Sequence, residues 1–577
     1  MQGTILIVDL SNQQTEVIRD EALFKEYVGG TAVGTELLFR YAHPDRDALS
    51  PEAPAIFVTG PFSALLPVAT KTVALFKSPL SGELGESNAG GRLALSLREA
   101  DIDALIVVGK APSPVYLVIE NHTVRIKSAK TFWGQSALAT ARILTRAEEQ
   151  HGSLKSILRI GPAGERLSPM ACVTVDDSRH FGRMGLGALL GSKNLKGIVL
   201  SGTGCSPVDR PKEYRAIYDI IYNQVVRSSG MKKYHDIGTA VNVAPLSAMN
   251  GLPTRNFSQG YFEGARLISG EVFAEDYLAA HIACAHCQCG CIHMAELREE
   301  FAPYHYETRS VSYDYELIYS LGSVLSISSP KDILKLIHAV EREGWDAISI
   351  GVTLAWAAEA YVSGVIGDKE TEGVSLAFGD THGFLEALKR MARGEGAFYR
   401  DLEKGCAFCS SKYGGEDFAI HFGGVEPAGY MTGENFFTAC VVGIRHSHLD
   451  DNGYSLDQQV FNKPMELEEQ VRSQVQEAQW RMVINSLVVC LFARAVYDVK
   501  TILEGLASLG MEKTEEELKA FGVKALQRKH EWKKACGFDM KAIEIPKKLF
   551  RVRTTNGLID PVSMKKRLAL YREYAGL

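Results

Sequence analysis

The sequence predicts an α+β protein: a β-rich domain over residues 1–207, a mostly helical domain over 208–410, and a second mostly helical domain over 411–577. Three observations carry this reading. Short β-branched runs bounded by turn residues crowd the first two hundred positions. Two prolines and a glycine interrupt regular structure in Gly204-Cys-Ser-Pro-Val-Asp-Arg-Pro211. Beyond that stretch, the long segments carry helical periodicity instead.

The predicted strands include TILIVDL (4–10), ALIVVGKA (104–111), PVYLVIE (114–120) and GIVLSG (197–202). Gly-rich connections separate them: Val28-Gly29-Gly30, Glu86 to Gly91, Gly161 to Gly164 and Gly182 to Gly187. Ser329-Pro330 opens a helix, with Ser as N-cap, Pro in the first turn and Asp332 at the anion-preferring end. Asp346 to Ser363, closed by Gly364, is apolar nearly all round and reads as a buried helix. Residues 466–494 form one long helical pattern, and Thr514 to Lys534 reads as a charged surface helix.

A chain of 577 residues spans several domains at roughly 150 residues each. With 46% apolar and 23% charged residues it can bury a sizeable core. Its 63 basic against 69 acidic residues, net −6, argue against an extended nucleic-acid surface. No apolar run reaches the ~18 residues of a membrane-spanning helix. The opening MQGTILIVDL lacks the basic and apolar regions of a secretory signal, so a cytoplasmic location is expected. Eleven cysteines there read as metal ligands or buried thiols rather than a disulfide framework.

The densest chemical signal is Cys284-Ala-His-Cys287-Gln-Cys289-Gly-Cys291. Read as C-x2-C-x3-C, Cys284, Cys287 and Cys291 could hold three corners of an iron–sulfur cube, with Gly290 allowing a tight turn. The fourth thiolate would be remote: Cys490, Cys406 or Cys409. A zinc site is the alternative, with Cys406-Ala-Phe-Cys409 as second knuckle. Cys289 reads as a spare thiol, and Cys172, Cys205, Cys440 and Cys536 as core residues.

Two further segments, 77–91 and 180–202, each bring glycines, small polar residues and a cation to a turn, where backbone N–H groups can face a phosphate. In order with the cysteines, these segments resemble the tungsten-containing aldehyde:ferredoxin oxidoreductases. The resemblance runs from about residue 3 to about 500. It rests on Gly29-Gly30, Lys77 to Gly82, Ser87 to Gly91, Ile160 to Gly164, Gly182 to Gly187, Gly191 to Lys196, Leu252 to Phe257, the cysteine triad and Tyr315-Glu316.

The resemblance implies a β-rich base domain covered by two helical domains. It also implies a tungsten (or molybdenum) bis-pyranopterin, one 4Fe-4S cluster held by Cys284, Cys287, Cys291 and Cys490, and a magnesium ion linking the pterins. Asn88 and Gly90 match one pterin-phosphate loop, and Arg183, Met184 and Gly185 the other, with the Asn88 and Met184 carbonyls on the magnesium. Lys71 stands where the family usually has Arg, keeping the charge but losing the planar fork. Two pterin motifs, Asp-x-x-Gly-Leu-Asp and Asp-x-x-Gly-Leu-Cys, read here as Glu341-Arg-Glu-Gly344-Trp-Asp346 and Asn485-Ser-Leu-Val-Val-Cys490. This places Glu341, Asp346 and Asn485 at the cofactor in a divergent member.

Glu316 and His448 match the family's active-site Glu and His, with His446 a competitor two residues away; Tyr313, Tyr315 and Tyr430 are candidate pocket walls. A carboxyl in a dry pocket suits general base work, and an imidazole N–H can bind a carbonyl oxygen. The implied reaction oxidises an aldehyde to a carboxylic acid and passes electrons to ferredoxin or a dedicated iron–sulfur subunit. A homodimer is a candidate assembly. The segment Val425-Glu-Pro-Ala-Gly-Tyr430-Met-Thr-Gly lacks the family's Asp-Pro-Arg, so the substrate side has changed. The alternatives are a relative acting on an aromatic acyl-CoA, sugar or keto compound, and a non-catalytic electron-transfer subunit that has lost the pterin.

Overall fold

The computed structural model describes residues 2–149, 154–204 and 208–577. Residue 207, Cys205 and the middle of the expected 204–211 linker lie outside them. Backbone contacts divide the chain into two compact units. The first comprises Met1–Lys233, Ala283–Gly290 and Gln479–Phe538; the second comprises Tyr234–Ile282, Cys291–Ala478 and Asp539–Leu577. Each unit therefore gathers segments from both sides of position 410.

The fold is α+β. The first unit is built on two six-stranded sheets. One contains β1 (Thr4–Asp9), β2 (Gln14–Arg19), β3 (Ala55–Val58), β4 (Thr72–Lys77), β5 (Leu84–Ala89) and β6 (Ala104–Val108), in the order β2-β1-β6-β3-β4-β5. The other contains β7 (Val115–Glu120), β8 (Thr123–Ser128), β9 (Ser156–Arg159), β10 (Val173–Val175), β11 (Arg179–Phe181) and β12 (Leu195–Ser201), in the order β11-β10-β9-β12-β7-β8. β1–β6 and β7–β12 pair in parallel and their neighbours antiparallel. β3 and β12 are buried at every position, which is why β3 runs Ala-Ile-Phe-Val without polar alternation, and the one cation in β12, Lys196, is paired with Glu165.

β5 is a sheet edge, and edges need cover. The helix Glu515–Ala535 provides it. A capping box starts this helix: the Glu517 amide donates to Thr514 Oγ1 at 3.2 Å, and the Thr514 amide donates to Glu517 Oε2 at 2.8 Å. The expectation of a surface helix needs correction. Lys529 and Lys533 are fully buried, Lys529 paired with Glu86 and Lys533 3.1 Å from Glu83. The charge pattern that resembled a solvated face is, on one side, an ion-pair seam against β5.

The second unit is mostly helical around one three-stranded sheet that the helical reading of this region did not foresee: β13 (Leu278–Ile282), β14 (Ile292–Ala302) and β15 (His305–Tyr313). The Ser329 side chain caps the helix Pro330–Glu343 as expected. Ala347–Val362 is a buried helix, followed by Gly364 at φ +74. The pattern over 466–494 is shorter than expected: its helix is Leu467–Ser486, and Val488 at φ +56 turns the chain out of helical geometry before Cys490.

Candidate active site

In the first unit, the alternation of β5 puts Glu86 and Asn88 on one face. Glu86 is held by Thr31 Oγ1 at 2.7 Å and by Lys529, which fixes the strand just before Asn88. Asn88 Oδ1 is buried with no hydrogen-bond partner among the described residues. Immediately after β5, a Cβ on Gly90 would lie 2.6 Å from Cys284 Sγ and 3.4 Å from Lys71 Nζ. Only glycine leaves room there for the thiol and the ammonium together.

The second predicted phosphate loop turns through two left-handed residues, Met184 at φ +71 and Gly185 at φ +86, before the helix Leu186–Ser192. A Cβ on Gly185 would meet Pro79 Cγ at 2.5 Å and the Pro169 carbonyl oxygen at 2.6 Å. The Met184 carbonyl accepts from Ser78 Oγ at 2.8 Å, leaving one lone pair for a further partner. Arg183 beside it is half-buried.

The cysteine loop docks on the first of these turns. The Ala285 amide donates to the Gly91 carbonyl at 3.0 Å, and the Cys287 amide to the Cys284 carbonyl at 3.1 Å. The Cys289 amide points at Cys287 Sγ at 3.4 Å, a donor that favours a thiolate. Cys289 itself is buried, its thiol donating to the Met231 carbonyl, as a spare thiol should be. Val68 joins the loop to Cys490: its amide donates to the His286 carbonyl at 2.9 Å, and its carbonyl accepts from the Cys490 amide at 3.1 Å. Next to this junction, the Lys71 amide donates to the Val488 carbonyl at 3.2 Å.

Val68, His286 and Val488 all have positive φ, +63, +58 and +56. For β-branched valines this is strain of about 1–3 kcal/mol each, the kind that gathers at functional sites. Cys284, Cys287 and Cys490 are half-buried, as is Cys291, which directly precedes β14. No cysteine among the described residues is in a disulfide. Among the described residues no three His, Cys, Asp or Glu side chains are gathered in a geometry that could hold a metal ion. Cys406 and Cys409 are fully buried, the Cys409 thiol donates to the Asp401 carbonyl at 3.2 Å, and burial pushes both thiols up, against ionisation.

These residues fit the anionic, hydrogen-bonding cofactor that the resemblance implies. Asn485 is 4% exposed, and its Nδ2, like Asn88 Oδ1, is buried without a hydrogen-bond partner among the described residues. One is a donor and the other an acceptor, the two kinds of group that a pterin edge, with its own N–H donors and ring acceptors, can satisfy. Lys71, the glycine cradle and the Cys284 thiol supply the cation, the clearance and the sulfur beside them.

In the second unit, Asp314 caps the helix Tyr315–Leu321 by accepting from the Leu317 amide at 3.1 Å. This puts Glu316 in the first turn, and the segment Pro427–Tyr430 clasps it there. The Gly429 amide donates to Glu316 Oε2 at 3.3 Å, the Tyr315 hydroxyl to the Gly429 carbonyl, and the Tyr319 hydroxyl to the Pro427 carbonyl at 2.9 Å. Glu316 Oε1 lies 3.6 Å from His448 Nε2. Asp450 shapes the loop that presents His448, accepting from the Arg445 and Ser447 amides and from Arg445 Nε at 2.8–3.0 Å. His446 is fully buried with Nδ1 2.7 Å from the Cys440 carbonyl, so of the two histidines His448 meets Glu316.

Tyr430 is the residue the sequence undervalued. Its ring packs, tilted, with its centroid 5.1 Å from His448, 5.1 Å from Tyr315 and 4.5 Å from Tyr454. Its hydroxyl bonds to Glu316, and burial first, then the Glu316 charge, raise its pKa well above the ordinary value. Tyr313 instead packs on Phe273 at 5.0 Å. The expected pterin residues of this unit lie at helix ends. Asp346 caps the helix Ala347–Val362, accepting from the Ile348 amide at 3.0 Å and Ser349 Oγ at 2.7 Å, and Glu341 is half-buried in the last turn of Pro330–Glu343.

A family model for the aldehyde ferredoxin oxidoreductase N-terminal domain matches residues 5–202, and one for domains 2 and 3 of the same family matches 217–577. The tungsten-containing aldehyde ferredoxin oxidoreductase of Pyrococcus horikoshii is 35% identical over 425 residues, 72% of this chain and 68% of that protein. The Pyrococcus furiosus protein of the same name is 32% identical over 426 residues, 72% of this chain and 68% of that protein. An aliphatic sulfonate oxidoreductase, WOR-like subunit, of Pyrococcus furiosus is 29% identical over 409 residues, covering 68% of this chain and 64% of that one. The active-site complex of benzoyl-coenzyme A reductase with 1,5-dienoyl-CoA has the same fold, at a TM-score of 0.82 and 19% identity over 100% of this chain and 94% of that one.

Proposed function

This chain belongs to the aldehyde ferredoxin oxidoreductase family, a family of oxidoreductases, and we propose that it oxidises an aldehyde to a carboxylic acid with a tungsten (or molybdenum) bis-pyranopterin and one 4Fe-4S cluster. The carrying observation is Gly90 at the meeting point of Lys71 and Cys284, two residues after Asn88. In the balanced reaction, aldehyde and water give acid, two protons and two electrons. When bound, the metal–pterin group would accept the electron pair and the cluster would pass electrons on singly.

The chain's own residues supply the rest. Asn88, Gly90, Arg183, Met184, Gly185, Lys71 and Asn485 would hold the pterins and their phosphates, with magnesium at the Asn88 and Met184 carbonyls. Glu341 and Asp346 belong to the same proposal, although Asp346 already serves as a helix cap. Cys284, Cys287, Cys291 and Cys490 would hold the cluster. Glu316 takes the proton released as water adds, and His448 donates a hydrogen bond to the carbonyl oxygen. Tyr430 keeps the Glu316 carboxylate aimed. Electrons leave to ferredoxin or a dedicated iron–sulfur subunit, the latter supported by the relative that is named a subunit. The reading includes the three-domain division and a cytoplasmic setting; among the described residues no helix is long and apolar enough to cross a membrane.

Metal and pterin analysis of anaerobically purified protein tests this. The expected result is tungsten or molybdenum, about four iron per chain and a fluorescent pterin on oxidative release. Iron without either heavy metal or pterin would overturn it in favour of an electron-transfer subunit. Viologen-linked turnover of an acyl-CoA and of no aldehyde would move the substrate to the thioesters.

A further inference from the structure

A cavity of about 360 Å³ in the first unit lies outside the proposed active site. Its walls come from Arg92, the N-cap of the helix Leu93–Glu99, from the helix Ala137–Ala147, from β9 and from the turn after β10. They include three cations, Arg92, Lys155 and Arg159, and three acids, Glu149, Asp176 and Asp177, with Ala141 and Ile157 as the apolar part. A volume of this size suits a small organic molecule.

The cations and acids are not equivalent. Lys155 is 8% exposed, and its ammonium donates to the Thr145 and Glu148 carbonyls at 3.1 and 2.6 Å, with no carboxylate paired to it among the described residues. Arg92 keeps Nε buried and without a hydrogen-bond partner among those residues. Arg159 is 1% exposed, and its Nε donates to the Ala137 carbonyl at 2.7 Å. By contrast, Asp176 is saturated by neutral donors: the Arg92 amide at 2.6 Å, Ser156 Oγ at 2.8 Å and the Ile157 amide at 3.1 Å. Glu149 and Asp177 are exposed, where water screens them. Inside the cavity the three cations therefore face a single carboxylate, Asp176, and the other two acids lie at its wet rim, which leaves the inner part net positive.

We propose that this cavity binds a small organic monocarboxylate, its carboxylate on Arg92 and Lys155 and its apolar body on Ala141 and Ile157. The rim acids disfavour a dianion such as phosphate. The carboxylic acids that the proposed reaction forms are of this class, but the inference is independent of that reading because its test measures binding rather than turnover.

Calorimetric titration of the purified full chain with benzoate, and separately with inorganic phosphate, tests it. Benzoate should bind with a Kd of about 1 mM or tighter, and Arg92→Gln and Lys155→Met should each weaken it about tenfold or more. Ala141→Phe, which fills the cavity without touching a charge, should abolish that binding and keep the thermal transition. Absence of benzoate binding up to about 10 mM, stronger binding of phosphate than of benzoate, or unchanged affinity in the three variants would each overturn the proposal.

Discussion

Gly90 lies against the sulfur of Cys284: a Cβ at residue 90 would sit 2.6 Å from Sγ, well inside van der Waals contact. Both ends of the contact are pinned by main chain, since Ala285 donates to the Gly91 carbonyl next door. Gly90→Ala should therefore displace the cysteine loop rather than be absorbed. The expected outcome is a large loss of iron per chain and of visible cluster absorbance, while far-ultraviolet circular dichroism stays close to wild type. Full iron content in the variant would show that the loop yields more easily than its hydrogen bonds imply.

Gly30 makes a second close approach. It adopts φ +39, and a Cβ there would meet the Asn485 carbonyl oxygen at 2.2 Å. Gly30→Ala combines a backbone clash with left-handed strain, and about 2–4 kcal/mol of destabilisation is expected from denaturant midpoints. Because the clash falls on Asn485, pterin content should fall with stability.

Glu316→Gln removes the proposed base and keeps the shape. Turnover should drop by about 10²–10⁴ in kcat with metal and pterin retained. Tyr430→Phe should cost about ten- to a hundredfold, the worth of a hydrogen bond to a charged group, and displace the acidic limb of the pH–rate profile, which a purely packing tyrosine would leave in place. Unchanged kcat in the glutamine variant would take Glu316 out of the chemistry.

His338 gives the second unit a pH signature. Burial, with Arg309 and Arg342 nearby, lowers its pKa from 6.5 to about 4, so the fold holds the imidazole neutral. With the folded pKa below the unfolded one, its stabilisation is fully present above pH 6.5 and is lost as pH falls through about 4. Urea midpoints measured down this window should fall for the wild type and fall less for His338→Gln.

Much of the fold was legible because local chemistry and tertiary role agree. Ser329-Pro330 starts a helix, the apolar run after Asp346 is buried, and TILIVDL and PVYLVIE are strands, each as its own pattern demands. Residues failed to reveal their place where a long-range partner decides it. Nothing near Lys529 in sequence announces Glu86, 443 residues away. Likewise, β14 and β15 are stabilised by their pairing, and the charges along them read as surface. At the site, His448 and His446 were indistinguishable by spacing, and the buried bond of His446 to the Cys440 carbonyl separates them. Tyr430 was one tyrosine among several until its hydroxyl met Glu316.

Val68 offers its amide to one cysteine loop and its carbonyl to the other. The proposed cluster would thus be gripped by arms anchored on one residue, so gaining or losing an electron would move its ligands little. Small nuclear rearrangement is what lets a redox centre exchange electrons quickly at low driving force.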